Sequence, residues 1–366
     1  MHLPARLAGK AFDGREASMP SCMQISLYSY SSSRGDEPQV HLSAISFNLL
    51  LILHSGQLKN GWCEELEASN LISSTNPVER TKKPWVTTAN SDRDESTELV
   101  KALKKAARVD RIVILTILEE PWVPPNSVID LFLESFRIGH GTSDLLRHLV
   151  IIAMDQRAFD TCRAVHTHCL FMVTQGLDFS ARGRWKTRWQ RIEVLFSVLE
   201  LGYHFILTDA DVMWLRNPLP HFTSGADIIF SGDTSDWSNR ENGGFYYVRS
   251  TDMTVEFYKY WYMQGALYPG LDEQHVFNII HPVVHEIGLR IQFLDPAYFG
   301  GFCQQTSADL NRIRTMHASC CVGVESKLND LRLVLEDWRN FTALSTQEKT
   351  IKGVAWRAPS MCKQWK

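Results

Sequence analysis

Two aspartates one residue apart, Asp209 and Asp211, are the groups in this sequence best placed to do chemistry. They stand in Phe205-Ile206-Leu207-Thr208-Asp209-Ala210-Asp211-Val212-Met213-Trp214-Leu215-Arg216-Asn217-Pro218. That stretch reads as a short buried strand, then the carboxylates, then a proline stop. In an open α/β sheet, ligands bind beyond the carboxyl ends of the strands. A carboxylate pair at such an end suits a hard divalent cation, which takes oxygen ligands and shares them with substrate phosphates. The bland alternative is a solvated Asp-x-Asp loop. An apolar strand before the pair and Trp-Leu-Arg-Asn-Pro after it favour the functional reading.

Other polar groups are spaced to serve the same place. The stretch from Trp185 to Leu201 predicts a helix, with Trp185, Trp189, Ile192, Phe196 and Leu199 on one apolar stripe. Arg182, Arg184, Lys186, Arg188 and Arg191 crowd its front. Such a cluster is often only a solvated face. Because this helix runs directly into the Asp-x-Asp strand, Lys186 and Arg188 are the candidates to meet a diphosphate. Asn242-Gly243-Gly244 enters an aromatic strand at Phe245–Val248, so something approaches the backbone closely there, or the glycines form an ordinary turn. Asp272-Glu273-Gln274 and Asn278 open a further helix. Acids at that position complement the helix dipole or line a polar pocket. His317 closes a strand expected within Ile313–Cys321 and is the candidate third ligand beside the two aspartates.

The elements that must position these groups alternate. A helix is expected over Glu98–Arg108, and strands over Arg111–Leu118, His148–Met154, Leu170–Val173, Asp227–Phe230 and Arg290–Leu294. Helices are expected from Ser127 to Phe136, following Asp155 to Val165, from Thr251 to Met263 and from about Lys327, with a tight turn at Phe299–Phe302. Strand and helix in turn predict a doubly wound, mostly parallel sheet flanked by helices. At 366 residues and 44% hydrophobic content the chain can bury a large core, and a net charge of −3 argues against a nucleic-acid surface. Eight cysteines without a C-x-x-C pair argue against a zinc ribbon, leaving a few disulfides or buried thiols as the two readings.

Residues 1–91 read as a poorly ordered stem or leader, 92–345 as one catalytic domain and 346–366 as a tail. The apolar run Ala44–Leu53 is short of the ~20 residues a bilayer span needs, and it makes no clean signal peptide, so neither is expected. Asn340-Phe341-Thr342 is an N-glycosylation acceptor signal, usable only in the secretory pathway.

From about Arg111 to Leu344 the chain resembles the plant nucleotide-diphospho-sugar transferase family, which has the GT-A fold. The resemblance is carried by LELGYHFILTDADVMWLRNPLPHF, NGGFYYVRS, LDEQHVFNII and FGGFCQQTSADLNRIRTMHASCCVGVESKLNDLRLVLEDWRNF. It implies a retaining glycosyltransferase that uses a UDP-sugar with Mn²⁺ or Mg²⁺ in the Golgi lumen. Relatives in this group put xylose, arabinose or galactose on cell-wall polysaccharides and glycoproteins. It further implies that Asp209, Asp211 and His317 hold the metal, and that Asp209, Ala210, Thr116, Gln274, Lys186 and Arg188 meet the donor. Glu273, with Asp272 beside it, would lie near the anomeric carbon, and Asn242 to Gly244 would border donor and acceptor. The chain departs from the family's usual pattern at its front, where a membrane anchor is not evident.

Two other readings compete. A haloacid-dehalogenase-type phosphohydrolase also follows an apolar strand with Asp-x-Asp, and Gly232–Asp236 imitates its late acidic motif. Only about twenty residues separate the two motifs, too few for that fold's intervening elements. A non-catalytic nucleotide-sugar-binding protein is the other, and an intact Asp209, Asp211, Glu273 and His317 set weighs against it.

Overall fold

The computed structural model describes residues 90–172, 186–222, 225–232, 241–268, 270–302, 309–351 and 355–362. The stem expected over residues 1–91 lies almost wholly outside them, as do Arg182, Arg184 and the 233–236 part of the acidic imitation motif. Helix α1 spans Asn90–Ala106, and strand β1 spans Ile112–Leu118. There follow α2 (Val128–Ile138), β2 (Leu149–Ala153), α3 (Gln156–Val165), β3 (Cys169–Phe171), α4 (Lys186–Glu200) and β4 (His204–Thr208). The second half contains β5 (Val212–Trp214), β6 (Ile228–Gly232), β7 (Glu241–Val248), α5 (Asp252–Leu267), α6 (Glu273–Glu286) and β8 (Ile291–Leu294). It closes with β9 (Phe299–Gly301), β10 (Thr315–His317), α7 (Val324–Ala343) and α8 (Thr346–Ile351).

Seven strands form one sheet in the order β3-β2-β1-β4-β7-β6-β8. Every pairing is parallel except those of β7, which runs antiparallel to both β4 and β6. The apolar runs are continuous because both faces of the sheet are covered. Ile114, Leu118 and Ile206 pack on one side with residues of α2, α3 and α7. Val113, Leu115, Phe205 and Leu207 pack on the other with α1, α4, α5 and α6. Helix starts follow local chemistry: the Asp155 carboxylate accepts from Ala158 N–H at 2.8 Å, and the Thr251 hydroxyl from Thr254 N–H at 3.2 Å.

The strand read before the aspartates is followed by a second one directly after them. β4 ends in the large sheet at Thr208, and β5 begins a separate three-stranded sheet, ordered β5-β10-β9, at Val212. Trp214 holds this break. Its indole stacks on Phe136 with ring centroids 4.5 Å apart, and its Nε1–H donates to Thr208 Oγ1 at 3.1 Å. The turn expected at Phe299–Phe302 is instead strand β9, paired with β10 as Phe299–Thr315, Gly300–Met316 and Gly301–His317. That pairing is non-local, and Gly301 permits it because a Cβ there would lie 2.6 Å from Ser319 Oγ.

Cys162 bonds Cys169, and Cys321 bonds Cys362, so disulfides are the outcome for these four. The second ties the C-terminal segment to the α7 region. Asp330 on α7 is fully buried, and its carboxylate accepts from the backbone N–H groups of Ser360, Met361 and Cys362 and from the Ser360 hydroxyl. Burial alone would raise the Asp330 carboxyl, but these donors outweigh it and lower it. Stability from this group is therefore present above the ordinary aspartate range and lost as pH falls through the lowered value. No helix among the described residues is long and apolar enough to cross a membrane. Asp330→Ala should cost about 2–4 kcal/mol, because several buried N–H donors lose their acceptor. Thermal unfolding followed by tryptophan fluorescence should show it as a lower midpoint at neutral pH, with the gap from wild type narrowing toward acid.

Candidate active site

The gap between the two sheets places the aspartates. Asp209 N–H donates to Gly244 O at 2.7 Å, which holds the end of β4 against β7. Ala318 N–H donates to Asp211 O at 3.1 Å, which holds the other end against the residue after β10. The Asp209 side chain is 37% exposed, whereas that of Asp211 is 3% exposed. His317 Nε2 lies 3.3 Å from Asp211 Oδ1. Ligand atoms of Asp209, Asp211 and His317 all fall within 4.8 Å of one another.

Two carboxylates and an imidazole, with no thiolate among them, are a donor set that fits Mn²⁺ or Mg²⁺. The backbone also leaves room there. A Cβ on Gly244 would collide with the His317 ring, 2.9 Å from Nε2, and would sit 3.0 Å from Asp209 Oδ2. One on Gly243 would lie 2.6 Å from Gln274 Oε1. The segment expected as a loop, Asn242 to Gly244, is thus part of strand β7. Its glycines are there for close side-chain approach and not for a turn.

Two cations sit on the aspartates, and neither is one of the pair expected from the sequence. Lys327 Nζ donates to Asp211 Oδ2 at 2.6 Å. Arg191, largely buried on α4, donates to Asp209 Oδ1 and to Gly243 O, each at 2.9 Å. Burial alone would raise the Asp211 carboxyl, but His317 and Lys327 hold it well below the usual range. Burial would lower Arg191, and the Asp209 charge overrides that and raises it.

Arg188 faces the second acidic group instead. Its Nη1 lies 3.6 Å from both Asp272 Oδ2 and Glu273 Oε1. Asp272 caps the turn into α6, accepting from His275 N–H at 2.8 Å. Burial would raise its carboxyl, and the His275 contacts lower it. Glu273 is buried, with Oε2 lacking a partner among the described residues. Burial raises its carboxyl despite the Arg191 and Arg188 charges. Arg191 is therefore close to both acidic poles.

The remaining expected residues are dispersed. Ala210 is a buried spacer. Gln274 is near Gly243, and its Nε2 is 3.5 Å from Asn278 Oδ1. Thr116 is fully buried on β1, and its hydroxyl has no partner among the described residues. Lys186 opens α4 and Asn242 pairs with Ser231, while their side chains lie outside the described residues. Sequence reasoning missed Lys327, which carries no local signal. It also missed Glu119, just past the carboxyl end of β1, which burial raises and which feels the charges of Arg188 and Arg191. An acid immediately after a buried strand, the logic applied to Asp209, would have found it.

Residues 144–331 match the family described as nucleotide-diphospho-sugar transferase. The chain belongs to this family. An uncharacterized Arabidopsis thaliana protein, At4g15970, is 41% identical over 299 residues, covering 76% of this chain and 78% of its own. The Arabidopsis thaliana UDP-D-xylose:L-fucose alpha-1,3-D-xylosyltransferase 3 is 24% identical over 53% of this chain and 50% of its own. A solved glycosyltransferase involved in glycosylating the major capsid of PBCV-1 is 12% identical over 60% of this chain and 98% of its own, with a TM-score of 0.37.

The transferase is thus a glycosyltransferase of α/β architecture, as the sequence predicts, and the phosphohydrolase reading falls with the family match. Gly244→Ala should leave the fold intact by circular dichroism while lowering sugar transfer and Mn²⁺ affinity about 10–100-fold, since the added methyl displaces the His317 ring. Wild-type Mn²⁺ binding by this variant, read by electron paramagnetic resonance, would show that the ring position is not needed.

Proposed function

We propose that this transferase moves a sugar, with retention of anomeric configuration and with a divalent cation, from a UDP-sugar to a cell-wall polysaccharide or glycoprotein in the Golgi lumen. The catalytic domain is assigned to residues 92–345. The observation that carries the reading is the convergence of Asp209, Asp211 and His317 in one polar gap. These three residues would hold Mn²⁺ or Mg²⁺. The bound ion would supply Lewis-acid stabilisation of the charge that develops on the leaving diphosphate. The chain's own residues do the rest. Lys327 and Arg191 add positive charge beside that leaving group. Glu273 acts as a carboxylate that stabilises the oxocarbenium-like centre, and Oε2, without a hydrogen-bond partner among the described residues, is the oxygen available to do so. For retention, the acceptor hydroxyl attacks from the face the diphosphate leaves, and a departing phosphate oxygen takes its proton.

Xylose is the first sugar to test, because the related xylosyltransferase is named for a UDP-xylose donor. The disulfides support folding in an oxidising lumen.

The full chain should hydrolyse one UDP-sugar of a panel with Mn²⁺ and lose that activity with chelator, and Glu273→Gln should slow it about 100-fold or more. Folded, metal-loaded protein that cleaves no donor, even with acceptor mixtures, would favour a nucleotide-sugar-binding role. The lumenal assignment also has a chemical readout. Asn340 is exposed on α7, so protein from plant tissue should carry an N-linked glycan there, seen as a mass loss on endoglycosidase treatment and absent in Asn340→Gln.

A further inference from the structure

The Asp209–Asp211 site carries its own two counter-charges. Lys327 Nζ is 2.6 Å from Asp211 Oδ2, and Arg191 bridges Asp209 Oδ1 and the Gly243 carbonyl. Two anions face two cations, so the pair is electrically balanced without any added ion. The cations differ in how firmly they are placed. Arg191 is held by two acceptors, one just past the end of β4 and one on β7. Lys327 holds the carboxylate through one ammonium on a flexible stem, 18% exposed, with Nζ over the Trp122 ring at 5.3 Å from its centroid. It also sits at the fourth position of α7, near a helix N-terminus that disfavours cations. Helix stability therefore does not explain a lysine there, and Asp211 does.

We propose that Lys327 is a positioning residue that stands in for the metal on Asp211 and makes metal binding depend on the donor. A dication entering the balanced site meets two positive charges and must displace the ammonium from Oδ2. That displacement becomes favourable when a nucleoside diphosphate enters as well, because its phosphate oxygens take up the released ammonium. Metal alone binds weakly, and metal with diphosphate binds tightly. Linkage requires the same factor in reverse, so the ion tightens the nucleotide as much as the nucleotide tightens the ion. The consequence is a site that stays electrically balanced between turnovers and takes up its ion only around a donor.

The inference rests on Asp209, Asp211 and His317 being the metal site, and the test separates the two. Mn²⁺ binding to the full chain is measured by electron paramagnetic resonance and calorimetry, with and without UDP, for wild type, Lys327→Met and Lys327→Arg. Wild type should bind Mn²⁺ at least tenfold more tightly with UDP than without. Lys327→Met, which keeps the stem on Trp122, should bind Mn²⁺ alone about tenfold more tightly than wild type and lose most of the UDP effect. Lys327→Arg should keep the wild-type pattern. Unchanged or weaker Mn²⁺ binding by folded Lys327→Met overturns the stand-in role and leaves the metal site standing. No Mn²⁺ binding by wild type in either condition overturns both. If Lys327→Met does not fold, Lys327→Gln takes its place, with the same readouts and the same deciding outcomes.

Discussion

A buried carboxylate is the constraint on which this site depends. Asp211 is almost wholly removed from water, and an isolated charge there would be prohibitively costly or would be neutralised by protonation. It stays ionised because His317 and Lys327 face its two oxygens. Those partners come from β10 and the start of α7, and Lys327 is 116 residues further along the chain. The small sheet delivers the first of them. β10 runs antiparallel to β5 so that His317 pairs with Val212, next to Asp211.

The two acidic poles are built with opposite electrostatics. At the first, cations hold Asp211 ionised. At the second, burial dominates and raises Glu273, although Arg188 and Arg191 oppose it. Carboxylates pushed in opposite directions mark different tasks in one site. Here one suits holding a cation and the other suits meeting charge that develops only during reaction. Arg191 couples them, touching Asp209 directly while its charge acts on Glu273.

The rest of the molecule keeps these poles in register. The large sheet is filled from both faces, which fixes the ends of β1 and β4. Trp214 clamps the break between the sheets through Phe136 and Thr208. Gly244 lets β7 pass directly beside His317 and Asp209. Each of these contacts fixes a strand end or a ring that lies beside Asp209, Asp211 or His317.

Much of this was legible in the residues. Continuous apolar runs such as Leu149–Ala153 marked strands buried on both faces, because that pattern is a local record of being covered twice. Ser127 marked a helix start, since capping needs only near neighbours. Asp209, Asp211 and His317 were readable as one group through strand ends and ligand chemistry. The sequence did not reveal that the Asp-x-Asp stretch splits between two sheets, or that Phe299–Gly301 is a strand. Both depend on β10 pairing from far along the chain. Nor did it distinguish Arg191 from Arg188, three residues apart on one helix. Which of them reaches Asp209 and which reaches Glu273 is set by how α4 docks against β7 and α6. Lys327 reads locally as a surface lysine on a helix, and only the tertiary structure brings it to Asp211. Local patterns determined the elements and the chemistry, while long-range packing decided which charges meet.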